Sequence, residues 1–256
     1  MIETGRQAGV MRLVLNAPER LNALSDEMLA ALGGALRDAA ASDARAVVIA
    51  GAGRAFCAGH DLREMQAARQ APDGGAAAFA DLFARCTEVM LSIRALPQPV
   101  IAEVHGVAVA AGCQLAATCD MVVAAEDARF GVNGVNIGLF CSTPMVALTR
   151  AVGRKAAFEM LTTGRLVEAH EAMRMGLVNR VVPAGEVTGA AMALAAEVAG
   201  KLGPAVRIGK RLFHEQAETD ERAAYAAAGA AMVENLALPE TDEGMQAFIE
   251  KRAPRW

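Results

Sequence analysis

The chain has 256 residues, of which 54% are hydrophobic, and its formal net charge at neutral pH is −4. This length is enough for one domain with a substantial core. The mildly acidic balance provides no basic field of the kind that recruits nucleic acid or an anionic membrane, so we expect neither as a partner.

Cysteine usage and the N-terminus indicate the cellular compartment. The five cysteines show no paired spacing and lie in apolar runs, which predicts buried thiols and no metal site or redox pair; they are Cys57, Cys86, Cys113, Cys119 and Cys141. The first 15 residues lack a basic segment followed by a long apolar one, and no run of about eighteen apolar residues occurs. We therefore expect a cytoplasmic location.

Strand and helix signals alternate in the first half of the chain. Short apolar runs predict strands at 10–15, 46–50, 100–104 and 121–125, which fits a β-α-β core with parallel strands. Ser25 is a suitable N-cap for a helix with apolar positions at Met28, Leu32 and Leu36, and a second helix is predicted over 77–94. Residues 66–78 are predicted to form a mobile loop. Further helices are predicted over 145–152, 154–162, 167–175, 184–202 and 204–235.

Two glycine-containing turns attract most attention. Residues 54–65 follow a buried strand, and residues 105–116 run from a strand through small residues into a helix. Small residues let the backbone approach a ligand closely, and the first N–H groups of a helix lack internal partners. Two such amides that converge form an oxyanion hole. Tight strand-to-helix packing explains the same pattern about equally well, so the turns alone leave both interpretations open.

The two turns resemble those of the crotonase, or enoyl-CoA hydratase/isomerase, superfamily. Further matches follow in order from about residue 8 to 256, among them 22–24, 130–131, 148–153 and 248–252. The runs 110–114 and 134–144 resemble one subgroup of that family in particular. The resemblance implies an α/β fold of the ClpP/crotonase type. In it, residues 1–190 form a spiral core of β-β-α units with an acyl-CoA pocket, and residues 191–256 form a helical C-terminal trimerisation region.

The same resemblance implies roles for individual residues. His60 and Ala111 would donate their backbone N–H groups to the thioester oxygen of an acyl-CoA and stabilise its enolate. The nucleotide end of coenzyme A would be lined by Leu21, Ala23, Ala58, Asp61 and Leu62, and the acyl group would face Asn133 and Cys141. Phe248 and Lys251 would meet the coenzyme A of an adjacent subunit. Coenzyme A would enter as part of the substrate, and no tightly bound cofactor is expected.

The chain departs from the family at the two catalytic glutamates. Hydratases of this family use both as general acid and base on the water that adds to the double bond. Here Gln114 and Gly134 occupy those positions. An amide does not exchange a proton as a carboxylate does, and glycine has no side chain, so we do not expect standard hydration. The space left by Gly134 is predicted to admit water or a small anion.

Several alternatives remain open from the sequence. The protein is an enzyme that acts on acyl-CoA through an enolate, an acyl-CoA-binding protein with little turnover, or a scaffold whose trimer is the functional unit. The expected assembly is a homotrimer or a dimer of trimers. The ring of His60 points into the pocket or packs beside it. Asp120 is predicted to make local hydrogen bonds, and the basic run 207–211 to form a solvated face.

Overall fold

A computed structural model describes residues 1–255, and two β-sheets organise them. The larger sheet has six strands in the order β1-β2-β3-β4-β6-β9, and the smaller has the order β5-β7-β8. The strands are β1 (Ile2–Gln7), β2 (Val10–Leu15), β3 (Ala46–Gly51), β4 (Val100–Val104), β5 (Val107–Val109), β6 (Met121–Ala125), β7 (Arg129–Gly131), β8 (Val167–Glu168) and β9 (Arg180–Val182). In the larger sheet β2, β3, β4, β6 and β9 pair in parallel, and β1 adds an antiparallel edge.

The helices are concentrated in the second half of the described chain. They are α1 (Asp26–Ala40), α2 (Leu62–Ala68), α3 (Ala76–Ala95), α4 (Ala111–Thr118), α5 (Ser142–Ala151), α6 (Arg154–Thr163), α7 (Ala169–Met175), α8 (Val187–Ala199), α9 (Gly203–Gln216), α10 (Glu221–Leu236) and α11 (Pro239–Ile249). Short 3-10 helices lie at 18–20, 133–137 and 184–186. Within residues 1–255, no helix is long and apolar enough to cross a bilayer.

The larger sheet is buried on both faces. Because side chains alternate along a strand, Val47 and Ile49 of β3 face the main core with α1 and α3. Ala46 and Val48 face the opposite side, where α8 covers them. Helix α8 spans residues 187–199, so the predicted boundary after residue 190 falls inside a helix that packs on the sheet.

The apolar runs predicted the central strands well. The bounds of β2, β4 and β6 match the predictions, and Ser25 caps α1 by accepting a hydrogen bond from the N–H of Met28.

The bounds of three other predicted segments were wrong. Residues 204–235 form two helices, because Asp220 accepts from the N–H of Ala223 and starts α10. Residues 66–78 are not one loop, since 66–68 end α2 and 76–78 begin α3. Residues 167–168 belong to β8, and the helix predicted there begins at 169.

A buried ion pair attaches α9 to the sheet. The Nζ atom of Lys210 donates to Asp120 Oδ2 at 2.7 Å, and to the carbonyls of Ile93 and Gln98 at 3.0 Å each. Asp120 also accepts from the N–H of Val100 at 2.7 Å, and its Oδ1 lies 3.0 Å from His214 Nε2. Asp120 does make hydrogen bonds as predicted, but the prediction that they are local is wrong, because the partners are 20, 90 and 94 residues away in the sequence. The prediction that the run 207–211 is a solvated face is wrong for its lysine, which is only 8% exposed.

Candidate functional site

The turn after β3 is held against the loop that precedes α1. Ala58 donates its N–H to the carbonyl of Leu21 at 3.0 Å, and Leu24 donates to the carbonyl of Gly59 at 2.7 Å. Gly59 has φ +92°, a conformation that L side chains rarely adopt. The backbone of 57–60 is thus fixed by neighbours on both sides.

Asn22 is the residue that shapes this turn, and the sequence prediction assigned it no role. It is completely buried, and its Nδ2 donates to the carbonyls of Ala52 and Ala55 at 2.8 and 2.7 Å. Its Oδ1 accepts from the N–H of Ala17 at 2.9 Å. A buried carboxamide with three satisfied bonds holds two loops in one arrangement. The signal for it was the Asn-Ala-Leu motif itself, in which only the alanine was chosen.

The second turn leads from β5 into α4 and packs directly on the first. A Cβ added to Gly112 would lie 2.1 Å from the carbonyl oxygen of Cys57, so only glycine fits there. A Cβ on Gly59 would lie 3.3 Å from the backbone nitrogen of Ala111. Ala110, the residue before α4, has φ +50° and ψ −120°, which is costly for an L residue. Together these contacts bring residue 111 to the turn that contains residue 60.

The backbone amides of His60 and Ala111 are not used inside the described chain. The N–H of residue 110 donates to the carbonyl of Gly131 at 2.8 Å, and that of Gln114 donates to the carbonyl of Ala110 at 3.0 Å. No hydrogen bond in residues 1–255 is donated by the N–H of His60 or of Ala111. For Ala111 the reason is its position as the first residue of a helix. The amide of His60 in one turn and that of Ala111 in the adjacent turn are therefore both unused donors.

The ring of His60 packs beside the turn. Its Nδ1 lies 3.3 Å from the carbonyl oxygen of Leu24, and the ring meets Phe83 edge to face at 5.7 Å between centroids. The carbonyl can only accept, so Nδ1 carries the proton in the neutral ring. Nε2 is buried without a partner. Burial lowers the pKa of His60, since the charged ring would lose its hydration.

Gln114 lies one turn along α4 from Ala111 and is 5% exposed. Its side-chain oxygen is buried and has no hydrogen-bond partner. The residue borders an open cavity of about 800 Å³, whose lining includes residues of α3, α4, α5 and α9 but not His60 or Ala111. The unpaired oxygen of Gln114 is therefore buried behind the cavity wall.

The backbone at Gly134 leaves no room for a side chain. A Cβ added there would lie 2.3 Å from the carbonyl oxygen of Leu139 and 2.8 Å from Cys141 Sγ. The loop is closed by hydrogen bonds from the N–H of Leu139 to the carbonyl of Gly134 at 2.9 Å, and from the N–H of Gly134 to Cys141 Sγ at 3.3 Å. The prediction that Gly134 leaves a space for water or a small anion is therefore wrong, because neighbouring atoms of the same loop fill it.

Comparison with known proteins identifies the family. The model of the family described as enoyl-CoA hydratase/isomerase matches residues 5–256. The chain belongs to the enoyl-CoA hydratase/isomerase family. Its crotonase fold is confirmed by the crystal structure of enoyl-CoA hydratase from Mycobacterium smegmatis, which is 53% identical with a TM-score of 0.95. That alignment covers 100% of this chain and 98% of the other.

The predicted subgroup is also confirmed. Enoyl-CoA hydratase domain-containing protein 3 from Mus musculus is 44% identical over 100% of this chain and 84% of its own length. The crystal structure of human enoyl-CoA hydratase domain-containing protein 3 is 42% identical with a TM-score of 0.94, and the alignment covers 100% of this chain and 99% of that one. The runs 110–114 and 134–144 were enough to indicate this subgroup.

Most residues predicted to bind coenzyme A lie together in this member of the family. Hydrogen bonds between the loop at 21–24 and the turn at 58–59 bring Leu21 and Ala23 beside Ala58. Leu62 is 54% exposed, so it offers an apolar contact at the surface. Asp61 is 8% exposed, and its Oδ1 accepts from the N–H of Arg63 at 2.8 Å to cap α2.

Other predicted residues are divided between two places. Asn133 begins the 3-10 helix that contains Gly134, and Cys141 packs on it, so both lie on the loop around Gly134. Burial raises the pKa of the Cys141 thiol, which disfavours a reactive thiolate. Phe248 and Lys251 lie at the end of α11, and neither borders the cavity at Gln114. Phe248 is 84% exposed, which leaves it available to another molecule.

The five cysteines are buried, and none of them forms a disulfide within residues 1–255. The prediction of buried thiols is therefore confirmed. Burial raises the pKa of Cys57 and of Cys113 to about 12, and that of Cys86 to about 11. These thiols are therefore protonated at neutral pH and act as small apolar side chains.

Proposed function

We propose that this protein binds acyl-CoA thioesters and holds the thioester oxygen with the backbone N–H groups of His60 and Ala111. Family membership supports the substrate class. The observation that carries the proposal is the pair of unused amides on two turns that pack against each other. Negative charge that develops on this oxygen in an enolate is stabilised by such donors, each worth about 3 kcal/mol.

We further propose that the protein is a poor hydratase. Water addition by the family mechanism needs two carboxylates, and this chain offers the carboxamide of Gln114 and a glycine. Closure of the loop at Gly134 by the Leu139 carbonyl supports this proposal, because no side chain from position 134 can reach the acyl group. Chemistry that requires only enolate stabilisation stays compatible with the site.

Binding without turnover is the second candidate, and the charges around the cavity favour it. Among the described residues that border the cavity, the two carboxylates are those of Asp120 and Glu218. Asp120 is neutralised by Lys210 at 2.7 Å, and Glu218 lies 3.2 Å from Arg150 Nε. Both carboxylates are therefore paired with a cationic side chain. A scaffold role remains the third possibility, distinguished by a lack of thioester binding.

A homotrimer or a dimer of trimers is the assembly that we propose. The C-terminal helices expose large apolar side chains, among them Phe213 (66%), Tyr225 (74%), Val233 (69%) and Phe248 (84%). Exposed apolar surface of this extent is typical of a protein–protein interface. In such an assembly Phe248 and Lys251 would reach the coenzyme A of a neighbouring subunit, with Lys251 paired to a phosphate.

The cellular location stays a prediction. The sequence predicts the cytoplasm, whereas the names of the mouse and human relatives include the word mitochondrial. We therefore propose the cytoplasm and the mitochondrion as competing locations for this protein, to be separated by fractionation of cells that express it.

Thermal unfolding with and without ligands tests the proposed function. A saturating ligand that binds only the folded protein at 100 times its Kd stabilises it by about 2.7 kcal/mol. We expect butyryl-CoA to raise Tm clearly and free butyrate to leave it unchanged. Purified protein should hydrate crotonyl-CoA slowly or not at all. No stabilisation by any acyl-CoA would contradict binding, and rapid hydration would contradict the proposed loss of hydratase chemistry.

A further inference from the structure

The open cavity beside α4 contains more cationic than anionic side chains. Its volume of about 800 Å³ is within the range of small-molecule sites. Neither His60 nor Ala111 borders it, so it is separate from the proposed site for the thioester oxygen. Among the described residues that line it, the arginines are Arg94, Arg150 and Arg154, and the carboxylates are Asp120 and Glu218.

Asp120 does not offset these arginines, because its carboxylate is already paired elsewhere. Its Oδ2 accepts from Lys210 Nζ at 2.7 Å, and its Oδ1 lies 3.0 Å from His214 Nε2. The side chain is only 15% exposed. In the described lining, Glu218 is therefore the remaining carboxylate for three guanidinium groups, and the wall keeps an excess of positive charge.

Glu218 shows that a carboxylate fits between two of the arginines. Its Oε1 lies 3.2 Å from Arg150 Nε and 4.0 Å from a terminal nitrogen of Arg94. These arginines belong to α5 and α3, so two separate helices converge on one oxygen atom. Glu218 itself lies in the link 217–220 between α9 and α10, and its side chain is 55% exposed. Exposed ion pairs of this kind are weak, so the carboxylate of a ligand can replace it.

The arginines also retain unused hydrogen-bond donors. The side chain of Arg94 is 28% exposed and donates no hydrogen bond within residues 1–255, since its ion pair at 4.0 Å is too long for one. The side chain of Arg154 makes neither a hydrogen bond nor an ion pair in this part of the chain. A guanidinium group presents five N–H donors in a planar arrangement that matches a carboxylate. The wall can therefore hold a second carboxylate in addition to one at the Glu218 position.

We propose that this cavity binds short dicarboxylates. One carboxylate group takes the place of the Glu218 side chain between Arg94 and Arg150. The other pairs with Arg154, and the methylene chain between them lies against Val146 and other apolar residues of the wall. A monocarboxylate of equal length gains only the first contact and competes poorly with the internal carboxylate.

Calorimetric titration of the full-length protein at constant ionic strength tests this site. The ligands are succinate and adipate, compared with butyrate and hexanoate of the same chain lengths. We expect at least one dicarboxylate to bind about tenfold more tightly than its counterpart, which is the effect of one charge-assisted hydrogen bond. Arg154→Gln should remove this preference. Glu218→Gln should strengthen dicarboxylate binding about twofold to fivefold, because it removes the internal competitor.

A neighbouring lysine provides the matched control. Lys155→Gln removes a positive charge next to Arg154 but outside the cavity lining, so it should leave dicarboxylate binding unchanged. Both side chains are exposed, and we expect both variants to fold.

Three results would refute the site. In the first, neither dicarboxylate is preferred over its monocarboxylate counterpart by the wild-type protein. In the second, Arg154→Gln and Lys155→Gln weaken binding equally, which shows general attraction by net charge and no defined site. In the third, Glu218→Gln binds dicarboxylates more weakly than the wild-type protein. The proposed binding of acyl-CoA uses other residues, and its own test is unaffected by these results.

Discussion

Gly134→Ala should lower the free energy of unfolding by about 3 kcal/mol, the magnitude that severe overpacking produces. A methyl group at this position would lie 2.3 Å from the backbone oxygen of Leu139, so the backbone of the loop has to move. That movement breaks the hydrogen bond from the N–H of Leu139 to the carbonyl of Gly134. Urea denaturation measures the loss.

Gly185→Ala is the matched control for this substitution. A Cβ at Gly185 meets no atom within 4 Å, and its φ lies outside the left-handed region. The control should therefore stay within about 0.5 kcal/mol of the natural protein. If Gly134→Ala were as stable as this control, the loop would not be filled in the way described.

The same crowding limits attempts to restore hydratase activity. Gln114→Glu together with Gly134→Glu would recreate the pair of carboxylates that hydratases use. We expect this double variant to be unstable and to gain little hydration of crotonyl-CoA, because the second glutamate has no space for its Cβ. A well-folded double variant with strong hydration would show that the missing carboxylates alone limited the reaction.

Lys210→Met should destabilise the protein by about 3–5 kcal/mol, the range found when one partner of a buried ion pair is removed. Lys210 is only 8% exposed, and its ammonium group donates hydrogen bonds to three oxygens. Without it the carboxylate of Asp120 loses its ammonium partner, and the carbonyls of Ile93 and Gln98 lose their donor. Chemical denaturation followed by circular dichroism measures the effect.

Lys155→Met removes the same charge from the surface and serves as the comparison. Lys155 is exposed on α6 and makes no recorded ion pair within residues 1–255, so its loss should cost less than about 0.5 kcal/mol. Lys210→Arg keeps the positive charge but should also destabilise the protein. The larger planar guanidinium does not fit three acceptors that are arranged around an ammonium group. Equal stability of Lys210→Met and Lys155→Met would contradict the role of this ion pair in attaching α9.

The central strands could be predicted because their residues are mostly apolar, with Arg12 in β2 and Glu103 in β4 as the exceptions. β2, β4 and β6 are buried in the larger sheet, and such runs have few alternative structures. The strands of the smaller sheet are two or three residues long, too short to show a period. Gly106 turns the chain into β5 against the Arg54 carbonyl, where a Cβ would lie 2.1 Å away.

The candidate site, too, could be predicted only in part from the sequence. The two turns were identifiable from their small residues and from the family resemblance, which also predicts that both hydratase glutamates are replaced. What residue type cannot reveal is how neighbouring atoms use the space. Gly134 was predicted to leave a gap, yet the carbonyl of residue 139 fills it. Likewise Lys210 lies in a basic run that was predicted to form a solvated face. Its three oxygen partners come from distant parts of the chain.

The position of the thioester oxygen in a complex with butyryl-CoA tests the central proposal most directly. A crystal structure of the protein with this ligand should place that oxygen about 2.7–3.1 Å from the backbone nitrogens of both His60 and Ala111. If the ligand is bound with its carbonyl away from these two nitrogens, the amides of the two turns do not form the binding site and the account is wrong.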